Sequence, residues 1–179
     1  MINPNEMLLA VDKNDQPTAT LRRSEIHQKM LLHRISHIWV VNQQRQVLVQ
    51  KRALHKDRWA GMWECWFGGH VLAGQTYRSC AAIETREELG ISVDPDELQL
   101  FGKQVVFTKE ENDIISVYGL QTLIDISHLE IEAEEVELVK WLEIDVLRKI
   151  YRDMDDDQWV RYGYELDVLS WLESQFNYN

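Results

Sequence analysis

Apolar positions along this chain follow two periods, and the changes of period mark out its elements. Residues 7–12 read as a strand, Asn14 to Pro17 as a turn and Thr18 to Leu21 as the returning arm, giving an N-terminal strand pair over about 7–22. Ser24 suits the cap of a short helical turn. Ile35 to Val41 is apolar and β-branched, which predicts a buried strand. Beyond a turn at Asn42 to Gln46, the stretch Val47 to Lys51 predicts its hairpin partner. Residues 55–63 read as a loop holding Trp59, Gly61 and Trp63. After a break at Asp94-Pro95 come two long strands, near 98–108 and 114–124, joined by a polar loop from Lys109 to Asp113. Glu137 to Leu142 adds a strand and Ile144 to Arg152 a helix. Trp159, Tyr162, Leu166, Leu169, Leu172 and Phe176 recur at three or four residues, which predicts an amphipathic helix over about 158–176. Asp157 is its expected cap, and the run Asp155-Asp156-Asp157 would favour its dipole. Strands interspersed with helices predict an α+β arrangement, a mixed sheet covered by helices, in one domain over residues 1–179.

Composition narrows the partners. With 179 residues, 45% of them hydrophobic and seven Trp, the chain can bury one sizeable core and is not a disordered sequence. A net charge of −11 repels nucleic-acid phosphates, so no nucleic-acid partner is expected. No apolar run approaches the roughly 20 residues needed to cross a bilayer. Met1 to Glu6 lacks the charged and apolar regions of a signal peptide. No membrane partner is expected either. Two cysteines, Cys65 and Cys80, predict reduced, mostly buried thiols and a cytoplasmic setting.

The stretch from Gly69 to Ile91 carries the chemistry. Thr76 or Gln75 opens a helix that Gly90 ends, with Cys80, Ala81 and Ile83 expected to pack inward. Glu84, Glu87 and Glu88 fall at i, i+3 and i+4, on one helix face. Like charges at that spacing destabilise a helix, so a neutralising cation is expected, and a hard divalent ion such as Mg²⁺ suits carboxylate ligands. Glutamates on a helix can equally be a solvated face, and the spacing alone does not separate the two.

The same stretch resembles the Nudix box, which has the form G-x5-E-x7-R-E-U-x-E-E-x-G-U with U aliphatic. Gly69, Glu84, Glu87, Glu88, Gly90 and Ile91 match in register. Gln75 stands where the family has its first Glu, Ile83 where it has Arg, and Thr85 where an aliphatic residue is usual. Across roughly residues 7–150 the chain looks closest to the isopentenyl-diphosphate-isomerase-like branch. The cues are Leu31-Leu32-His33-Arg34, Val47 to Arg52, Lys56 to Trp63 and Gly68-Gly69-His70-Val71. The resemblance implies a Nudix fold, a mixed β-sheet sandwiched between helices. It also implies metal-dependent hydrolysis of a diphosphate linkage in a small molecule, with Mg²⁺ or Mn²⁺ as cofactor. Glu84, Glu87 and Glu88 are then the metal ligands and catalytic residues, and Gly68, Gly69, Arg52 and His70 contact substrate. Nudix proteins are often dimers, so a homodimer through the N-terminal strands or the C-terminal helix is compatible with this reading.

The isomerase branch adds a catalytic Cys before the Gly-His pair, two glutamates on a later strand and three metal-binding histidines. Here Gly68 replaces the Cys, and the glutamate positions fall near Ile115 and Val117. His33 and His70 match two of the histidines, while the third aligns with Ile26, next to His27. Isomerisation is therefore disfavoured. Two further readings stay open: Gln75 and Ile83 are paired, compensating losses in an active hydrolase, or the box has eroded and the fold is a non-catalytic ligand-binding module. Other candidates are Glu110, Glu111 and Asp113 as a base outside the box, against a solvated loop tip. Lys56 and Arg58 with Arg52 could meet phosphates. Trp59, Trp63 and Trp66 could stack on a base or cover an isoprenoid, against core packing. His37, inside an apolar strand, reads as a satisfied core or half-exposed histidine.

Overall fold

The computed structural model describes residues 6–56, 58–109, 111–153 and 156–178. Its spine is β3 (His33–Val41), seven of whose nine residues from Ile35 onward are buried. β3 runs parallel to β8 (Asn112–Gln121) along its whole length, from His33↔Asp113 to Val41↔Gln121. Along its other edge it meets β1 (Met7–Val11) at Ala10↔His33, β6 (Phe67–His70) over Ile35↔His70 to Ile38↔Phe67, and β4 (Gln46–Arg52) at Val41↔Val47, all antiparallel. β2 (Pro17–Arg22) flanks β1, β5 (Trp63–Glu64) and β9 (Val136–Glu143) flank β4, and β7 (Gln99–Phe107) flanks β8.

Side-chain alternation on β3 divides the core in two. Ile38 and Val40 face α2 (Tyr77–Leu89), packing with Phe67, Ala81, Leu89 and Tyr118. Ile35, Trp39 and Val41 face the opposite way, onto α3 (Ile144–Arg152) and α4 (Glu165–Gln175), with Leu147, Leu169 and Leu172. A third, smaller cluster of Leu8, Ala10 and Ile26 seats α1 (Arg23–Gln28) on the N-terminal strand pair. The mixed sheet lies between helices, as α+β patterning predicts.

The C-terminal helix is shorter than its periodicity predicts. It begins at Glu165, with Tyr164 rather than Asp157 at the cap position. Before it, the chain pairs with the sheet: the Trp63 N–H donates to Gln158 O at 2.8 Å and the Val160 N–H to Trp63 O at 2.9 Å. Gly163 then turns with φ +93°, a conformation that a continuous helix excludes. The Glu165 carboxylate accepts from the Tyr162 and Gly163 amides, satisfying donors at the new helix start. Trp159 and Tyr162, counted as helical from sequence, thus sit on an extended segment. Asp155 and Glu110 lie outside the described residues. Ile83, expected to pack inward, is only partly buried and lines a cavity instead.

Candidate functional site

Beside β3, β6 and α2 lies a cavity of about 600 Å³. Ile35 and His37, on one face of β3 by strand parity, line it. β6 supplies Gly68 and Gly69 opposite His37 and Ser36. Both glycines are required by close approach. A Cβ on Gly68, at φ +145°, would lie 1.9 Å from the Ser36 carbonyl oxygen, and one on Gly69 would lie 2.5 Å from a Glu84 oxygen. The missing side chains let carboxylates on α2 reach the cavity.

Thr76 caps α2, its hydroxyl accepting from the Ser79 amide, and Gly90 ends it in the left-handed conformation at φ +70°. The intervening register brings Glu84 against Gly69 and Glu88 against Gly68, whose amide donates to Glu88 Oε2 at 3.0 Å. Among the described residues, neither carboxylate has a basic side chain within ion-pair distance. Burial, and then Glu87, pushes the Glu84 carboxyl up to about 8. Burial, and then Glu84, pushes Glu88 well above the usual carboxylate range. Two acids crowded together without a cation fit a divalent ion of the Mg²⁺ or Mn²⁺ type. Glu87 stands apart, exposed on the cavity rim near Arg86. Gln75 and Ile83 also line the cavity. Gln75 Oε1 accepts from the Leu72 amide at 2.9 Å, so this position braces the loop with a neutral bond.

Where His70 lines the cavity, it belongs to a histidine cluster that extends behind the wall. Donor atoms of His27, His33 and His70 lie within 4.8 Å of one another, making theirs the only such group of three or more metal-binding side chains among the described residues. Nε2 of His27 is 3.0 Å from Nε2 of His70, and the His33 and His70 rings stack at 5.1 Å. Asp113 adjoins His33 at 3.4 Å. Both Asp113 oxygens and His33 Nε2 are buried without a hydrogen-bond partner. Burial, and then Glu111, pushes the Asp113 carboxyl up to about 9. Burial lowers His27 to about 4 and His70 well below the usual imidazole range, with His33 adding to both. Orphaned donors and acceptors facing one another fit a second divalent ion.

Two sequence expectations are corrected here. Glu111 and Asp113 are buried, not a solvated loop tip. Ile115 and Val117, where register places the branch's glutamates, are core residues, whereas Asp113 lies beside His33. His27, not Ile26, completes the histidine trio, because α1 turns Ile26 into the core.

The basic residues each hold an acid. Arg52 Nη1 donates to Glu64 Oε1 at 2.8 Å, Lys56 pairs with Glu135, and Arg58 Nη1 donates to Glu111 Oε1 at 2.6 Å. Burial raises the Glu111 carboxyl, but Arg58 and then the Tyr162 hydroxyl outweigh it and hold the group below its usual range. Trp66 is a core residue stacked on His37, Trp63 stacks on Trp159 at 5.8 Å, and Trp59 lines the cavity. Sequence reasoning missed Glu64 and Tyr162 as cavity residues. Glu64 pairs with Gln50 across β4 and β5, a register no local pattern encodes.

The NUDIX domain profile matches residues 31–163. The chain belongs to the Nudix family. This Nudix protein is 28% identical to isopentenyl-diphosphate Delta-isomerase 2 of Photorhabdus laumondii, over 94% of the chain and 95% of that protein. It is 32% identical to Nudix hydrolase 3 of Arabidopsis thaliana over 78% of the chain, while spanning only 19% of that longer protein. Among solved structures, DR0079 from Deinococcus radiodurans shares the fold with a TM-score of 0.67 at 19% identity, covering 92% of this chain and 98% of the other. A C. elegans Ap4A hydrolase superposes with a TM-score of 0.54 at 18% identity, over 79% of this chain and 99% of its own. Among the described residues no helix is long and apolar enough to cross a membrane.

Proposed function

We propose that this Nudix protein hydrolyses a diphosphate linkage in a small molecule, using Mg²⁺ or Mn²⁺ held by Glu84 and Glu88 with Glu87 at the rim. The observation that carries this reading is the pair of partly and fully buried carboxylates, without basic partners among the described residues, converging on Gly68 and Gly69 at a cavity that Arg52, Lys56 and Arg58 also line. When bound, such an ion polarises phosphoryl oxygens and lowers the pKa of water. The chain's own residues bind and orient. The Gly68 amide fixes Glu88, Glu64 fixes Arg52, and the glycines let backbone and carboxylate approach the diphosphate. Gln75 and Ile83 are both neutral, so neither replacement strands a charged partner at the other position, which is compatible with paired loss. The buried cysteines support a cytoplasmic setting.

The test is release of phosphate or nucleoside monophosphate from a panel of diphosphates with Mg²⁺ and Mn²⁺. Turnover that Glu88→Gln abolishes supports the enzyme, and ligand binding without turnover by the intact protein supports the non-catalytic module. A second reading, isopentenyl diphosphate isomerisation, is favoured by the His27, His33, His70, Glu111 and Asp113 cluster. It is opposed by Gly68, whose backbone cannot seat the Cys that the branch uses. Deuterium incorporation into isopentenyl diphosphate in heavy water distinguishes it.

A further inference from the structure

His37 is a buried histidine that the proposed hydrolysis does not yet use. It stands directly across from Gly68, the residue whose amide holds Glu88. Its ring is fixed from two sides. It stacks on Trp66 at 4.8 Å and 10°, and its Nδ1 lies 2.5 Å from the Tyr164 hydroxyl. That contact decides the tautomer. A phenol is the better proton donor of the two and a neutral imidazole nitrogen the better acceptor. Burial holds the Tyr164 hydroxyl protonated, and among the described residues it has no second partner. Burial, and then Arg52, keeps the His37 ring neutral, down to about 3. Tyr164 therefore donates to Nδ1, and the ring proton sits on Nε2.

Nε2–H has no protein acceptor among the described residues. It is also not one of the buried unpartnered atoms, although the residue as a whole is buried and lines the cavity. The donor thus reaches cavity space beside the box carboxylates. We propose that His37 is a substrate-contacting residue whose Nε2–H donates to an oxygen of the bound diphosphate, with Tyr164 as the positioning residue that sets its tautomer. This rests on the hydrolase reading only in placing a diphosphate at the box.

The probe is methylenediphosphonate with Mg²⁺, which binds without being cleaved. Imidazole ¹⁵N–¹H spectra of the intact protein are expected to show His37 protonated on Nε2 alone, and that proton is expected to move downfield on adding the probe. By calorimetry, His37→Phe, which keeps a ring on Trp66, should weaken probe binding about tenfold. His37→Gln, which keeps an N–H at the same reach, should stay within about threefold. Tyr164→Phe should bind roughly threefold more weakly and show a mixed tautomer. An Nδ1–H tautomer in the intact protein, a ring proton indifferent to the probe, equal affinity in His37→Phe, or no probe binding at all overturns the proposal. Probe binding with these signatures but no turnover of any diphosphate leaves it standing and sinks the hydrolase reading instead.

Discussion

The two ends of the cavity are built in opposite ways. At the box end, the carboxylates come from one turn of one helix, and the glycines that admit them precede that helix by a few residues. At the histidine end, His27 comes from α1, His33 from β3, His70 from β6, and Asp113, with Glu111 beside it, from the start of β8. Local spacing encodes the first arrangement. The second exists only once β1, β6 and β8 have paired around β3. A site written in one helix survives changes elsewhere in the fold, whereas a site gathered from four segments depends on the sheet register.

The largest expected effect separates the ends by backbone. Gly68→Cys forces a Cβ onto the Ser36 carbonyl at a left-handed φ and should cost about 3 kcal/mol or more, read as a lowered unfolding midpoint, without gain of isomerase activity. Equal stability would show that the β3–β6 pair relaxes. Next come the ligands. Glu88→Gln should lower kcat/KM on a cleaved diphosphate about 100-fold or more, while His70→Ala should remove a tightly held metal, measured by elemental analysis, and leave Mn²⁺ titration at the box intact. Loss of both functions in both variants would make the cavity one indivisible site.

Protonation should then pull the two ends in opposite directions. Glu84 is raised to about 8 in the fold, so the native state binds more protons than the unfolded chain between its usual range near 4.5 and about 8. Stability of the metal-free protein from this group falls as pH rises through that window. His27 is lowered to about 4, so the unfolded chain binds more protons between about 4 and 6.5, and stability from this group falls as pH drops through that window. Each group bounds the slope at about 1.4 kcal/mol per pH unit. Unfolding midpoints against pH should flatten above pH 6.5 in Glu84→Gln, whereas between about 4.5 and 6.5, where the two groups offset each other, His27→Gln should expose the Glu84 slope. The smallest effect is at the helix start, where Thr76→Ala should cost about 1 kcal/mol of stability and loosen Mn²⁺ binding at the box only slightly.

This contrast also explains what the sequence disclosed. The strand β3, the turn into β4 and the box helix rest on residues close together in the chain, although β4 meets β3 only at Val41↔Val47 and pairs along its length with β9; Thr76 and Gly90 mark the helix ends as caps should. Glu111 and Asp113 read equally well as a solvated loop tip because no local pattern shows that the start of β8 is buried beside His33. The C-terminal helix was overextended because Trp159 and Tyr162 fit a helical period by chance while Gly163 and the pairing of Trp63 with residues 158–160 set the actual boundary. Glu64 gave no signal, since its partners Gln50 and Arg52 are identified only by the β4–β5 register.

The crowded main chain at Gly68 has an evolutionary reading. A lineage carrying this strand pair can retune what it accepts by ordinary replacements around the pocket wall. Acquiring a thiol at that spot would demand reshaping two strands at once, so that replacement alone does not carry this scaffold toward chemistry that needs one.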